Sequence, residues 1–244
     1  MKAISLNVVC LLLSASLLYG TSSCTSKSEN ASTTDTATAS AAQTDLPQTE
    51  DPLEILKAGN ERFYTGKSIH LHQDTVKIHE LTAGQYPKAV IISCSDSRVP
   101  PEIIFDQGLG DIFTIRTAGH VMSDYEEGSV EYAVEHLHSP LVIVLGHEKC
   151  GAIHAMLEHK DDDHVHGHIA AIVDALKNEP EEQEVFRTAG DDLPEQAIMA
   201  NIVHGVKQLR TSDPILSKMY QEGEIRIIGA LYHLENGQVE FLDI

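Results

Sequence analysis

Four short runs dominated by Ile and Val, at residues 89–93, 112–115, 141–145 and 225–231, restrict the fold more than anything else in the chain. None alternates apolar with polar residues, so each reads as a strand covered on both faces. Helical apolar spacing recurs between them, at 128–138, 168–177 and 197–209. Strand and helix in alternation imply an α/β domain: a mostly parallel central sheet with flanking helices. A fifth, shorter run at 239–242 follows Asn236-Gly237, a turn pair that returns the chain as an antiparallel edge strand. Asp51-Pro52 marks a helix start, and Leu53, Ile55, Leu56, Phe63 and Tyr64 continue it at helical spacing up to Gly66. The folded domain is therefore expected over 51–244.

The residues ahead of it read differently. Lys2 is followed by a mostly apolar run over 3–19, short for a bilayer span and interrupted by Ser and Asn. That favours a secretory signal over a transmembrane anchor. Gly20-Thr21-Ser22-Ser23-Cys24 resembles a lipoprotein processing site with Cys24 as the lipidated residue, although Thr21 stands where such sites usually carry Leu. Ordinary cleavage is the alternative. From 25 to 50 Ser, Thr, Ala, Asn, Asp and Gln leave little to bury, the composition of a disordered tether. The expected organisation is a signal over 1–24, a tether over 25–50 and one domain over 51–244. The protein would then be exported, periplasmic or at the cell surface, and in touch with a membrane only through a lipid on Cys24. A net charge of −20 over 244 residues argues against a nucleic-acid partner, which would need a basic face.

The chemistry concentrates at two strand ends. After the first run come Cys94-Ser95-Asp96-Ser97-Arg98. If that segment stays extended, Cys94, Asp96 and Arg98 line one side, since residues two apart share a face. After the third run come His147-Glu148-Lys149-Cys150-Gly151, where a turn into a helix would set His147 beside Cys150 and Gly151 would allow close approach. Ligands of parallel sheets bind just past the carboxyl ends of strands. Cys94, His147 and Cys150 form a Cys2His donor set suited to one zinc ion, Zn2+, with a fourth position left for water. Zinc in such a site lowers the pKa of water to roughly 7.

These motifs resemble those of the β-class carbonic anhydrases: Cys-x-Asp-x-Arg, then His-x-x-Cys roughly fifty residues later. The likeness continues in Ala58-Gly59-Asn60-Glu61-Arg62-Phe63, Phe105-Asp106-Gln107-Gly108-Leu109-Gly110-Asp111, Arg116-Thr117-Ala118-Gly119, Gly128-Ser129-Val130-Glu131-Tyr132-Ala133-Val134 and Gly229-Ala230-Leu231-Tyr232. It implies reversible hydration of CO2 to bicarbonate and a proton, with zinc on Cys94, His147 and Cys150. Asp96 would either take the fourth zinc position in a closed state or pair with Arg98 in an open one. Gln85, Phe113, Tyr132 and Gly151 would contact substrate. Because that pocket is completed between subunits in the family, a homodimer or a dimer of dimers is implied. Some members form an inhibitory bicarbonate pocket with a Trp where this chain has Ile91; Arg116 keeps one element of it.

Each motif also has a plainer reading. Cys94 and Cys150 could be buried core residues or a disulfide. Asp96–Arg98 could be only a structural ion pair, and Phe113 and Tyr132 ordinary core aromatics. The stretch His159, Asp161, Asp162, Asp163, His164, His166 and His168 reads as a solvated loop, a weak second metal site or a proton relay. Hydrolysis of COS or CS2 and a non-catalytic zinc-binding surface protein are the alternative functions.

Overall fold

In a computed structural model the described residues are 49–160, 165–188, 190 and 192–244. The leader, Cys24 and nearly all of the tether lie outside them, as do Asp161, Asp162, Asp163 and His164. In chain order the elements are α1 (Pro52–Tyr64), α2 (Thr75–Glu80), β1 (Ala89–Cys94), α3 (Pro101–Ile104), β2 (Ile112–Thr117), α4 (Asp124–Glu131), β3 (Leu141–His147), α5 (Gly151–Glu158), α6 (Ile169–Lys177), α7 (Pro180–Thr188), α8 (Leu193–Thr211), α9 (Leu216–Gln221), β4 (Arg226–Tyr232) and β5 (Val239–Leu242). Among the described residues no helix is long and apolar enough to cross a membrane.

The five strands lie in the order β2-β1-β3-β4-β5, parallel throughout except for the β4–β5 pair. All five expected strands and the antiparallel edge are present. Every residue of β1 and β3 is buried. Their side chains divide between two cores. Ile91, Ile143 and Leu145 pack on one face with Ile153, Leu176 and Ile202. Val90, Ile92, Val142 and Val144 pack on the other with Val130, Val206 and Ile227. This double coverage is why the runs lack alternation. Each such buried aliphatic side chain contributes roughly 1.5–3 kcal/mol.

Helix α1 starts where expected, with Asp51 accepting a hydrogen bond from the Leu53 amide and Pro52 opening the first turn. Its Arg62 donates from Nε to Asp106 Oδ2 at 2.6 Å, a buried pair. Asp106 also accepts from the Ile69 and His70 amides, which ties the N-terminal layer to the loop after α3. The pattern at 128–138 begins earlier than expected, at Asp124, because Ser123 and Glu126 form a capping box. It continues from Tyr132 to His136 as a π turn.

The chain leaves β1 for β2 on one side and then crosses over to β3 on the other. The crevice at the carboxyl ends of β1 and β3 is thus the switch point of the sheet, where open α/β sheets take ligands. The registers align Cys94 with Thr117 and His147 with Tyr232 at this end. Gly146 lets α8 close on the sheet here: a Cβ at that position would lie 2.5 Å from Ile202 Cδ1.

Candidate metal centre

Cys94 ends β1 and His147 ends β3, so two donors arrive from neighbouring strand ends. Cys150 follows after one turn whose Lys149 is held at φ 52°, and it precedes the first residue of α5. The donor atoms of Cys94, His147 and Cys150 all lie within 4.8 Å of one another, and all three residues are buried. They are the only such cluster of three metal-ligating side chains among the described residues.

The imidazole is set up to bind a cation. His147 Nδ1 lies 2.8 Å from the Glu148 carbonyl oxygen. A carbonyl can only accept, so Nδ1 carries the proton and Nε2 presents its lone pair. Nε2 is buried and has no hydrogen-bond partner. An unpartnered acceptor of this kind costs free energy unless a ligand satisfies it.

The two sulfurs point to the same need. Both thiols are free, not a disulfide. The hydrogen bond from Cys150 lowers the Cys94 pKa far below the ordinary thiol range, against the opposing effect of burial, and His147 and the Gly119 amide add to the lowering. Cys150 is pushed the other way, by that same hydrogen bond and by burial. Two adjacent buried sulfurs do not both ionise without a cation between them. Gly119, at φ 66°, donates its amide to Cys94 Sγ at 3.3 Å. A divalent, thiophilic ion fits this donor set.

Asp96 and Arg98 do meet beside the cluster, but not through strand alternation as expected. β1 stops at Cys94, and 95–98 fold into a turn in which Asp96 Oδ1 accepts the Arg98 amide at 2.9 Å. The turn brings the guanidinium onto the carboxylate, Nε to Oδ1 at 2.9 Å and Nη2 to Oδ2 at 2.7 Å. Arg98 Nη2 also donates to the Lys149 carbonyl at 3.1 Å, bridging the two halves of the centre. The Arg98 hydrogen bonds hold the Asp96 carboxyl at about 2. Its Oδ2 stands 4.0 Å from His147 Nε2. The carboxylate is therefore in the arrangement paired with arginine, beside the donor cluster.

Arg116 was read only as part of a bicarbonate pocket. Here it fastens the site loop, Nε to the Cys94 carbonyl at 3.0 Å and Nη2 to the Asp96 carbonyl at 2.6 Å. The remaining residues of the resemblance do not join the cluster within one chain. Phe113 pairs in register with Val90, four residues before Cys94 and so roughly 13 Å along the strand. Its ring packs on Tyr132 with centroids 6.3 Å apart, and Tyr132 is 47 % exposed. Gln85 is exposed and lines a groove with Leu81 and Gly110. Gly151 is not demanded by any close approach inside the chain, since a Cβ there would meet open space. His159, His166 and His168 form no three-residue donor cluster with other described side chains.

Sequence reasoning missed Gly119, Glu148, His120 and His233. His120 is fully buried with neither ring nitrogen partnered, and burial lowers its pKa to about 4. The Glu148 carboxylate receives His233 Nδ1 at 2.8 Å and the Leu234 amide at 2.9 Å. Neither contact has a local signal in the sequence.

Residues 89–239 match the carbonic anhydrase family. The chain belongs to that family. Its carbonic anhydrase relatives include one from Mycolicibacterium smegmatis, 40 % identical over 77 % of this chain and 90 % of that protein. Carbonic anhydrase 2 of Mycobacterium tuberculosis is 39 % identical over 78 % of this chain and 91 % of its own length. The β-carbonic anhydrase CafA of Aspergillus fumigatus superposes with a TM-score of 0.60 at 28 % identity, covering 75 % of this chain and 87 % of that one. As a β-class carbonic anhydrase the protein is a zinc enzyme, and its reaction is the reversible hydration of CO2 to bicarbonate and a proton.

Proposed function

We propose that Cys94, His147 and Cys150 hold the zinc of this reaction and that Asp96 and Arg98 are its working pair. The carrying observation is the buried, unpartnered His147 Nε2 facing two free sulfurs, 4.0 Å from Asp96 Oδ2. When bound, zinc supplies the Lewis acidity that lets water ionise near neutral pH. Asp96 Oδ2 accepts a hydrogen bond from the reacting water and fixes its orientation. The proton leaves through Asp96 or directly to solvent. Arg98 keeps the carboxylate turned and ionised.

Gln85, Phe113, Tyr132 and Gly151 serve the substrate from a homodimer or a dimer of dimers. Support comes from the β2 edge, where most residues are only half-buried and half-buried Phe113 packs on exposed Tyr132. The signal over 1–24 exports the enzyme, and a lipid on Cys24 anchors it in the periplasm or at the cell surface. That rests on the sequence of the leader. Fractionation tests it: Cys24→Ser should move the protein from membranes to the soluble fraction.

Stopped-flow CO2 hydration by the zinc-loaded protein, beside Asp96→Asn, tests the assignment. Turnover of COS without CO2 hydration would favour the hydrolase alternative. Inactivity toward both with zinc present would favour a non-catalytic zinc protein.

A further inference from the structure

Glu148 lies between the two metal-ligating residues of the second motif, and its side chain reaches the chain just past the carboxyl end of the neighbouring strand β4. Segment 232–234 grips this one residue at three points. Its amide donates to the Tyr232 carbonyl at 3.2 Å. Its Oε1 accepts from His233 Nδ1 at 2.8 Å, and its Oε2 accepts from the Leu234 amide at 2.9 Å. A carboxylate only accepts, so His233 Nδ1 carries a proton, and its Nε2 lies 3.5 Å from Glu240 Oε2. With both oxygens and the amide engaged, Glu148 is held at its side chain and at the peptide unit that joins it to His147.

The backbone held in this way runs directly between the donors. The Glu148 carbonyl takes the Nδ1 proton of His147 and so fixes which nitrogen faces the cluster. The next carbonyl, of Lys149, receives Arg98 Nη2, and Cys150 follows directly. The anchoring segment is itself held: the His233 amide donates to the Gln238 carbonyl, and the Gly237 amide to the His233 carbonyl, both at 2.9 Å.

We propose that Glu148 and His233 form a clamp that positions His147 for zinc, with the β4–β5 connection as its support. Both are positioning residues, since neither touches the donor cluster. The inference rests on zinc binding at Cys94, His147 and Cys150. Outer partners of a metal-bound histidine hold its tautomer and ring orientation, and their loss usually weakens metal binding by about 10- to 100-fold.

Equilibrium competition for zinc between the full-length protein and a chromophoric chelator is the test. Glu148→Ala and His233→Ala should each weaken zinc binding by about 10-fold, the lower end of that range, since neither removes the carbonyl that holds His147. The double variant should be no weaker than the worse single one, because both act through one contact. His233→Asn keeps an N–H donor near the place of Nδ1 and should recover most of the affinity. A role in folding alone would lower the melting temperature of the zinc-free protein and leave zinc affinity of the folded protein as it was. Affinity within about twofold of wild type in either alanine variant, additive losses, or no recovery in His233→Asn would each overturn the clamp. His233→Ala and His233→Asn carry the test alone if Glu148→Ala does not fold. A wild-type protein that takes up no zinc at this centre would overturn both the clamp and the reading beneath it, whereas tight wild-type binding with unaffected variants overturns only the clamp.

Discussion

Arg98 holds Asp96 by both carboxylate oxygens, and the same guanidinium reaches across to the Lys149 carbonyl on the other half of the centre. The fork geometry is specific to arginine, since an ammonium cannot make two parallel hydrogen bonds to one carboxylate. Asp96→Asn should lower kcat by about 100-fold, within the usual range for losing such a group, while metal analysis still finds zinc. Arg98→Lys should cost about tenfold. Unchanged turnover in both would reduce the pair to a structural ion pair.

Zinc uptake should release about one proton per ion from the two sulfurs near pH 7, beside roughly half a proton from water on the zinc, whose pKa is near 7. Of the two sulfurs, Cys94 is the one held ionised without metal and Cys150 the one held protonated. Both must be thiolates once zinc is bound, so one proton leaves. Calorimetric titration in buffers of different ionisation enthalpy counts it. Release of more than two protons would show that Cys94 is not ionised beforehand.

Glu182→Gln should gain stability relative to wild type as pH rises from about 6.5 to 9. Glu182 is completely buried with both oxygens unpartnered, and Glu179 is buried with Oε2 unpartnered. Burial raises Glu182 to about 8, and burial with the neighbouring charges of Glu182 and Glu181 raises Glu179 to about 9. A carboxyl raised above its unfolded value of ~4.3 binds more protons folded than unfolded, so its contribution is whole at low pH and fades through the folded value. His120, lowered to about 4, acts in the opposite sense below about 6.5, and the lowered Cys94 thiol does so up to its unfolded value, so the difference between Glu182→Gln and wild type isolates the glutamate. Glu182→Gln should match wild type near pH 5 and melt several degrees higher near pH 9. Parallel melting curves across that range would contradict it.

Gly119→Ala should harm both stability and zinc binding. The residue sits at φ 66°, and a Cβ there would lie 2.9 Å from the Ala152 Cβ. A non-glycine residue in that conformation costs about 1–3 kcal/mol. Its amide is also a donor to Cys94 Sγ, so the shift that relieves the clash disturbs the sulfur. Thermal melts of the zinc-free protein and chelator competition measure the two effects separately.

The sheet was legible because buried strands advertise themselves: β1 and β3 are continuous apolar runs, and Asn236-Gly237 announces the return of β5. The zinc donors were legible because His147 and Cys150 are three residues apart and Cys94 closes a strand. Helices α2, α3 and α9 span only four to six residues, too few for a period to show. Ser123 and Glu126 carried the start of α4 in plain view as a capping box, and the apolar period beginning at 128 hid it. Asp96 and Arg98 were paired correctly but through the wrong geometry, since an Asx-type turn and an extended strand both bring residues two apart together. Glu148 and His233 are joined only by the folded sheet, across 85 positions. No local pattern reports such a contact.

Because Cys94 and His147 stand on adjacent parallel strands, with Ser93 registered against Leu145, the unfolded chain has no complete chelate. It offers His147 and Cys150 alone, a weak two-donor pair. Closing Cys94 onto that pair costs the entropy of a loop of about fifty residues, and the pairing of β1 with β3 removes that cost. The ion therefore binds most tightly once those two strands have met, and its uptake is coupled to folding.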